Sequence, residues 1–162
     1  MTQATSLERD DRPTVPVVRS HDVARAIPLL ARVCFSAVFV LSAPHHFSAG
    51  TIDAAAAKGV PLAELAVPLA GVIAAAGGLS VLFGYKAKTG GWLLVLFLVP
   101  VTLFMHRFWS ETDPTVAQMQ TINFMKNVGL LGGALAFAYF GAGPLSADAR
   151  IARNEVTGKY AR

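Results

Sequence analysis

The chain of 162 residues is 54% hydrophobic and only 15% charged, with a mean hydropathy of +0.50. A soluble domain usually carries about a quarter charged residues, so this composition argues against an ordinary soluble protein and against a disordered chain. The single cysteine, Cys34, excludes an intrachain disulfide, a CxxC redox pair and a four-cysteine metal site. The formal net charge is +4, and the basic residues lie mostly at the ends of apolar segments, which indicates a membrane protein rather than a nucleic-acid-binding one.

Residues 1–26 are polar, and we predict that they form a disordered cytoplasmic tail. They contain four arginines and an acidic run at 8–11, and two prolines interrupt the only window that could form an amphipathic helix. The apolar stretch that follows begins too late and runs too long for a signal peptide.

Four apolar segments follow the tail, at about 27–47, 61–83, 89–109 and 123–140. Each is long enough to cross a hydrocarbon core of about 30 Å as a helix, and the alternation of a membrane β-barrel is absent. The sequence therefore predicts an all-α integral membrane protein with four transmembrane helices in an antiparallel bundle. This domain spans 27–148, and a cytoplasmic tail follows at 149–162.

Most lysines and arginines fall in the N-terminal tail, in the loop that carries Lys86 and Lys88, and in the C-terminal tail. The positive-inside rule then places both termini in the cytoplasm of a bacterial inner membrane and two loops outside. Arg32 lies near the start of the first segment, from where it can snorkel to the headgroups. Small residues at helical spacing predict close helix packing in the second and fourth segments; they are Gly71, Ala75, Gly78, Gly129, Gly132 and Gly133.

Polar residues gather where the segments meet the outer face. Because antiparallel helix ends share one depth, these side chains can converge on a polar pocket, and ionisable residues at membrane depth are functional candidates. No catalytic residue is assigned. The ligand-binding candidates, which end or begin the four segments, are His46, His106, Arg107, Lys126 and Glu64.

Each candidate also has a structural interpretation. The histidines and Arg107 can lie among headgroups, and Glu64 can complement the positive end of its helix dipole. Lys126, in the first turn of the fourth segment, would oppose that dipole, so it either pairs with an acidic neighbour (Glu64, Glu111 or Asp113) or binds an anion. No HExxH motif or close histidine pair supports a metal site, and no second signal supports haem ligation by His46 and His106.

Several short motifs follow one another along the apolar segments: Ser42-Ala43-Pro44-His45-His46-Phe47, Gly77-Gly78-Leu79, Leu82-Phe83-Gly84, His106-Arg107-Phe108-Trp109, Phe124-Met125-Lys126-Asn127, Leu131-Gly132-Gly133 and Gly141 to Asp148. In this order and spacing, they resemble the motifs of the DoxX family of small four-helix bacterial inner-membrane proteins. The resemblance covers about 27–150. One departure is Ala74, where many members carry a glutamate.

The resemblance implies an association with thiosulfate:quinone oxidoreduction or with complexes that manage oxidative or thiol stress, by analogy alone. With only Cys34, the chain cannot perform dithiol exchange by itself, so a redox role needs a bound quinone, a cofactor or a partner. We therefore expect a redox-associated membrane subunit whose outer pocket holds a quinone headgroup or a small anion. One alternative is a non-catalytic scaffold or assembly partner. A small transporter is less favoured, because drug exporters of similar size need a carboxylate in the first helix, where this chain has Arg32 and no acid. The expected partners are the bilayer and a membrane or redox protein or a second copy, and no nucleic acid.

Overall fold

The computed structural model describes residues 20–160, and every regular element in that range is helical. Short 3₁₀ turns follow α1 and α4. The six helices are α1 (Ser20–Ser42), α2 (Ala49–Ala57), α3 (Ala63–Phe83), α4 (Ala87–Met105), α5 (Pro114–Phe140) and α6 (Ala147–Tyr160). Most of the predicted N-terminal tail lies outside the described residues, although α1 already begins at Ser20, and the segment predicted as a C-terminal tail is helical through Tyr160.

Three helical stretches are long and apolar enough to cross a membrane. They are Val23–Phe47, Ala63–Phe83 and Ala87–Ser110. These stretches confirm an all-helical membrane protein and match the first three predicted segments. The fourth span and the orientation of the termini stay predictions.

Helix α3 packs against both α1 and α4, and α5 packs against α4. The core between them contains Phe39, Leu94 and Leu98, all almost fully buried. Some of the predicted small-residue contacts are confirmed. A Cβ at Gly78 would lie 3.1 Å from Phe39 Cβ, and a Cβ at Gly133 would lie 2.7 Å from the Phe35 ring.

Two glycines of α5 make no close helix contact within the described part of the chain. A Cβ at Gly129 or Gly132 would meet no atom within 4 Å, because both glycines face away from the other helices. Gly133 instead lies on the side of α5 that faces Phe35 of α1.

The fourth helix does not begin near Asn123 as predicted. It begins at Pro114, because Asp113 caps it: the Asp113 carboxylate accepts hydrogen bonds from the amides of Thr115 at 2.7 Å and Val116 at 3.2 Å. A proline in the first turn has no amide that needs a partner, so the Asp-Pro pair is a strong helix start. Hydropathy misses this start because the first half of α5 is polar.

Arg32 does not snorkel to the headgroups. It is only 1% exposed, and its Nη2 donates a 2.8 Å hydrogen bond to the carbonyl oxygen of Leu145, just before α6. At the same end of the molecule, the Asp148 carboxylate accepts hydrogen bonds from the amides of Lys86 and Ala87 at 2.8 and 3.0 Å. We call this the α6 end, and the opposite end, with His46 and His106, the histidine end.

Candidate functional site

A cavity of about 640 Å³ lies between α3 and α4 at the histidine end. The short helix α2 covers it through Thr51 and Ala55. Its walls are almost entirely apolar, and they include Val67, Ala70, Ile73, Phe97, Pro100 and Val101. The polar side chains that line it are those of His46, His106 and Thr51.

The cavity lies beside the apolar flank of the molecule. Three of its lining residues, Leu69, Leu96 and Phe104, are 53%, 59% and 37% exposed. They belong to the two adjacent helices α3 and α4, both of which are candidate membrane spans. The cavity therefore lies next to a surface of α3 and α4 that carries exposed apolar side chains.

His46 is held in place by the 3₁₀ turn Ala43–Phe47 that follows α1. Its Nδ1 lies 3.2 Å from the Ser42 carbonyl oxygen. Since a carbonyl oxygen only accepts, Nδ1 carries the proton and Nε2 is left for another partner. The ring packs edge-on against Phe97, with 5.5 Å between ring centroids. The histidine Cβ lies so close to Gly71 that a side chain there would collide with it.

His106 reaches the cavity from the C-terminal end of α4, where it is the capping residue. Its Nδ1 lies 2.9 Å from Oε1 of Gln120, which comes from α5. With the amide oxygen as acceptor, Nδ1 is again the donor and Nε2 is the remaining nitrogen. Both histidines are half-buried, and each is oriented by a hydrogen bond to its Nδ1.

Arg107 makes a different contact from the one predicted. Its guanidinium donates a short hydrogen bond to the carbonyl oxygen of Lys58, in the loop after α2. The Lys58 ammonium donates in return to the carbonyl oxygen of Met105 at 2.7 Å. These reciprocal bonds tie the loop after α2 to the end of α4, so Arg107 is a structural support for the cavity cover.

The other two candidates lie away from the cavity. Glu64 is exposed in the first turn of α3, as its interpretation as a dipole partner requires, and it does not line the cavity. Lys126 is exposed and lies about twelve residues after Pro114, or roughly 18 Å along α5, so it is not in the first turn. The cavity therefore gathers His46 and His106 out of the five predicted residues. Whether any of the five binds a ligand stays a prediction.

Sequence reasoning missed three contributors to this site: the helix α2, Phe97 and Gln120. A signal for α2 exists, because Ser48 accepts a hydrogen bond from the Thr51 amide and an alanine-rich run follows. No local pattern could reveal Phe97 or Gln120, because their roles depend on which helices become neighbours. Among residues 20–160, no three histidine, cysteine or acidic side chains cluster as a metal site would require.

Comparisons with known proteins give a consistent result. The DoxX family profile matches residues 27–107, which is half of the chain. The chain is 27% identical over 138 residues to the inner membrane protein YphA of Escherichia coli K12, covering 82% of this chain and 98% of that protein. It is 29% identical over 122 residues to the inner membrane protein YqjF of the same organism, covering 74% and 88%. No solved structure matches. Because three of its helices are long and apolar enough to cross a membrane and the family profile matches half of its length, the chain is an integral inner-membrane protein that belongs to the DoxX family.

Proposed function

We propose that this protein is a redox-associated membrane subunit that binds a lipophilic quinone in the cavity between α3 and α4. The observation that carries the proposal is the position of the cavity. It lies beside the apolar flank, and two oriented imidazoles, His46 and His106, lie at its polar end. An apolar flank favours entry of a lipophilic ligand over a water-soluble one.

The size and lining of the cavity fit this class of ligand. Small-molecule sites usually enclose about 300–1,000 Å³ and combine apolar walls with a few polar groups. Here the walls suit a quinone ring and the start of its isoprenoid tail, while Leu69 and Leu96 mark the side from which the tail would extend into lipid.

The histidines can handle the protons of a quinone headgroup. A neutral imidazole with its proton on Nδ1 accepts a hydrogen bond at Nε2 from a quinol hydroxyl, and the protonated form donates one to a quinone oxygen. Reduction of a quinone needs two electrons and two protons. We assign proton exchange to this chain and the supply of electrons to a redox partner protein in the membrane.

The proposal includes a fourth span and an orientation. Helix α5 has 27 residues and packs along α4, and its second half, after Lys126, carries no charge. We propose that this half completes an antiparallel four-helix bundle, with both termini in the cytoplasm and the histidine end outside.

The binding test uses the full-length protein in detergent and a short-chain quinone, decylubiquinone, as the probe. Wild type should bind it saturably, and His46→Ala and His106→Ala should each weaken binding about 5- to 10-fold, as loss of one hydrogen bond of 1–1.5 kcal/mol predicts. Ala70→Phe should abolish binding, because a phenyl ring would occupy the cavity.

His45→Ala is the matched control, because His45 precedes His46 in the same turn but is exposed and does not line the cavity. It should bind decylubiquinone like wild type. If wild type shows no saturable binding, or if Ala70→Phe binds normally while folded, the quinone site is refuted. A non-catalytic scaffold would then be the better interpretation.

A further inference from the structure

A second cavity, of about 440 Å³, lies at the α6 end, where the start of α4, the end of α5 and the start of α6 meet. We call it the basic cavity. Lys86, Lys88 and Thr89 line it from α4 and the turn before α4. Phe140 lines it from α5 and Asp148 from α6. With two lysines and one aspartate, this lining has a net positive charge.

The charges of the two lysines remain available to a ligand. The Asp148 carboxylate accepts hydrogen bonds from the backbone amides of Lys86 and Ala87 at 2.8 and 3.0 Å. The Lys86 ammonium lies 5.6 Å from the centre of the Tyr85 ring, an exposed aromatic face. The Lys88 side chain lies along Gly141, which also lines the cavity, and a Cβ at that glycine would be 3.6 Å from Lys88 Cε. The Lys88 ammonium is one bond further on, so it lies at the cavity.

The basic cavity lies where the membrane-spanning helices end. The candidate span Ala63–Phe83 stops three residues before the span Ala87–Ser110 begins, and Lys86 is in that short turn. Exposed aromatic side chains surround the cavity on the outside of the helices. Trp92 follows Lys88 by one helical turn, and Phe140, which is 78% exposed, packs edge-on against Tyr139. Aromatic side chains in such positions mark the boundary between lipid tails and headgroups.

We propose that the basic cavity binds the phosphate of an anionic phospholipid. The phosphate oxygens would accept hydrogen bonds from the Lys88 ammonium and the Thr89 hydroxyl. The glycerol and the first part of the acyl chains would pack against Phe140 and Trp92. Basic pockets between membrane helices at the membrane surface are typical sites for anionic headgroups.

The same features favour an anionic lipid over two other phosphate compounds. A zwitterionic lipid carries its own cation, which Lys86 and Lys88 would repel. Free phosphate has no chain to pack against the exposed aromatic rings. This proposal does not rest on quinone binding, because the basic cavity and the histidine cavity share no lining residue.

The test is native mass spectrometry of the full-length protein in neutral detergent, with dioleoylphosphatidylglycerol and dioleoylphosphatidylcholine as probes. Wild type should bind one phosphatidylglycerol more tightly than any phosphatidylcholine. Lys88→Gln should weaken phosphatidylglycerol binding about fivefold, the effect of one lysine near an anionic lipid, and leave phosphatidylcholine binding unchanged. Ala149→Trp keeps every charge but places an indole in the cavity, so it should also weaken phosphatidylglycerol binding.

Arg153→Gln is the matched control, because it removes an exposed charge of α6 that does not line the cavity. It should bind phosphatidylglycerol like wild type, and millimolar inorganic phosphate should not displace the lipid. Equal affinity of wild type for the two lipids, or equal effects of Lys88→Gln and Arg153→Gln, overturns the proposal. Displacement by inorganic phosphate would also overturn it, since the cavity would then be a site for the free anion.

Discussion

Close contact between the backbones of α4 and α5 predicts opposite effects for the same substitution at two glycines. A Cβ at Gly91 would lie 2.5 Å from the amide nitrogen of Ala138 and 2.8 Å from the carbonyl oxygen of Ala134. These are backbone atoms of α5, which cannot turn aside as a side chain can. Gly91→Ala therefore requires the two helices to separate, whereas Gly129→Ala meets nothing within 4 Å.

The magnitude follows from two opposing contributions. Both substitutions gain about 1 kcal/mol of helix propensity, so this gain cancels when they are compared. Overpacking typically costs 1–3 kcal/mol, and the backbone contacts at Gly91 place it in the upper half of that range. We expect Gly91→Ala to be about 2–3 kcal/mol less stable than Gly129→Ala.

Reversible unfolding in detergent, followed by circular dichroism, measures this difference. Gly129→Ala should be as stable as wild type or slightly more stable. Equal stabilities for the two variants would mean that α5 does not pack on α4 as described, and the proposed fourth span would lose its main support.

Two further predictions concern the ends of the helices. Reporter fusions after Tyr85 and after Asp113 should score cytoplasmic and external respectively, and the reverse pattern would contradict the proposed orientation. Asp148→Ala should lower stability by about 1–2 kcal/mol in the same unfolding assay, because it removes the side-chain cap at the start of α4. Glu155→Ala, which removes an exposed acid of α6, should change stability by less than about 0.5 kcal/mol.

Hydropathy predicts the membrane class and three spans because the free energy of burying apolar residues in lipid depends on composition over about twenty residues. It places helix ends poorly where a polar stretch continues a helix. Residues 114–122 illustrate this, since the Asp113 cap and Pro114 start α5 well before its apolar part. A helix that begins near Asn123 would have Lys126 in its first turn, and the predicted pairing of this lysine with an acidic neighbour depends on that position. In the structure, Lys126 lies near the middle of α5.

Depth along a helix can be predicted from sequence, but the direction in which a side chain points requires knowing the neighbouring helices. The ends of the apolar segments predict that His46 and His106 lie near each other, and both line one cavity. Arg32 and Lys126 both differ from their predictions. The arginine, predicted to reach the headgroups, is buried, and the lysine, predicted to lie in a polar pocket, is exposed. A single charge in an apolar segment has the same pattern in both cases, so only the packing distinguishes them.

The cavity at the histidine end is lined by one stretch of the chain, but one of its histidines is oriented from outside that stretch. Every residue that lines the cavity lies between His46 and His106, within the stretch matched by the DoxX family profile. The contacts that orient the second histidine and anchor Arg32 come from outside that stretch, through Gln120 and Leu145. Helix α5 therefore contributes, through Gln120, to a cavity that α3 and α4 already form. On this basis, loss of the Gln120 amide should weaken quinone binding without removing it, because the cavity walls do not depend on it.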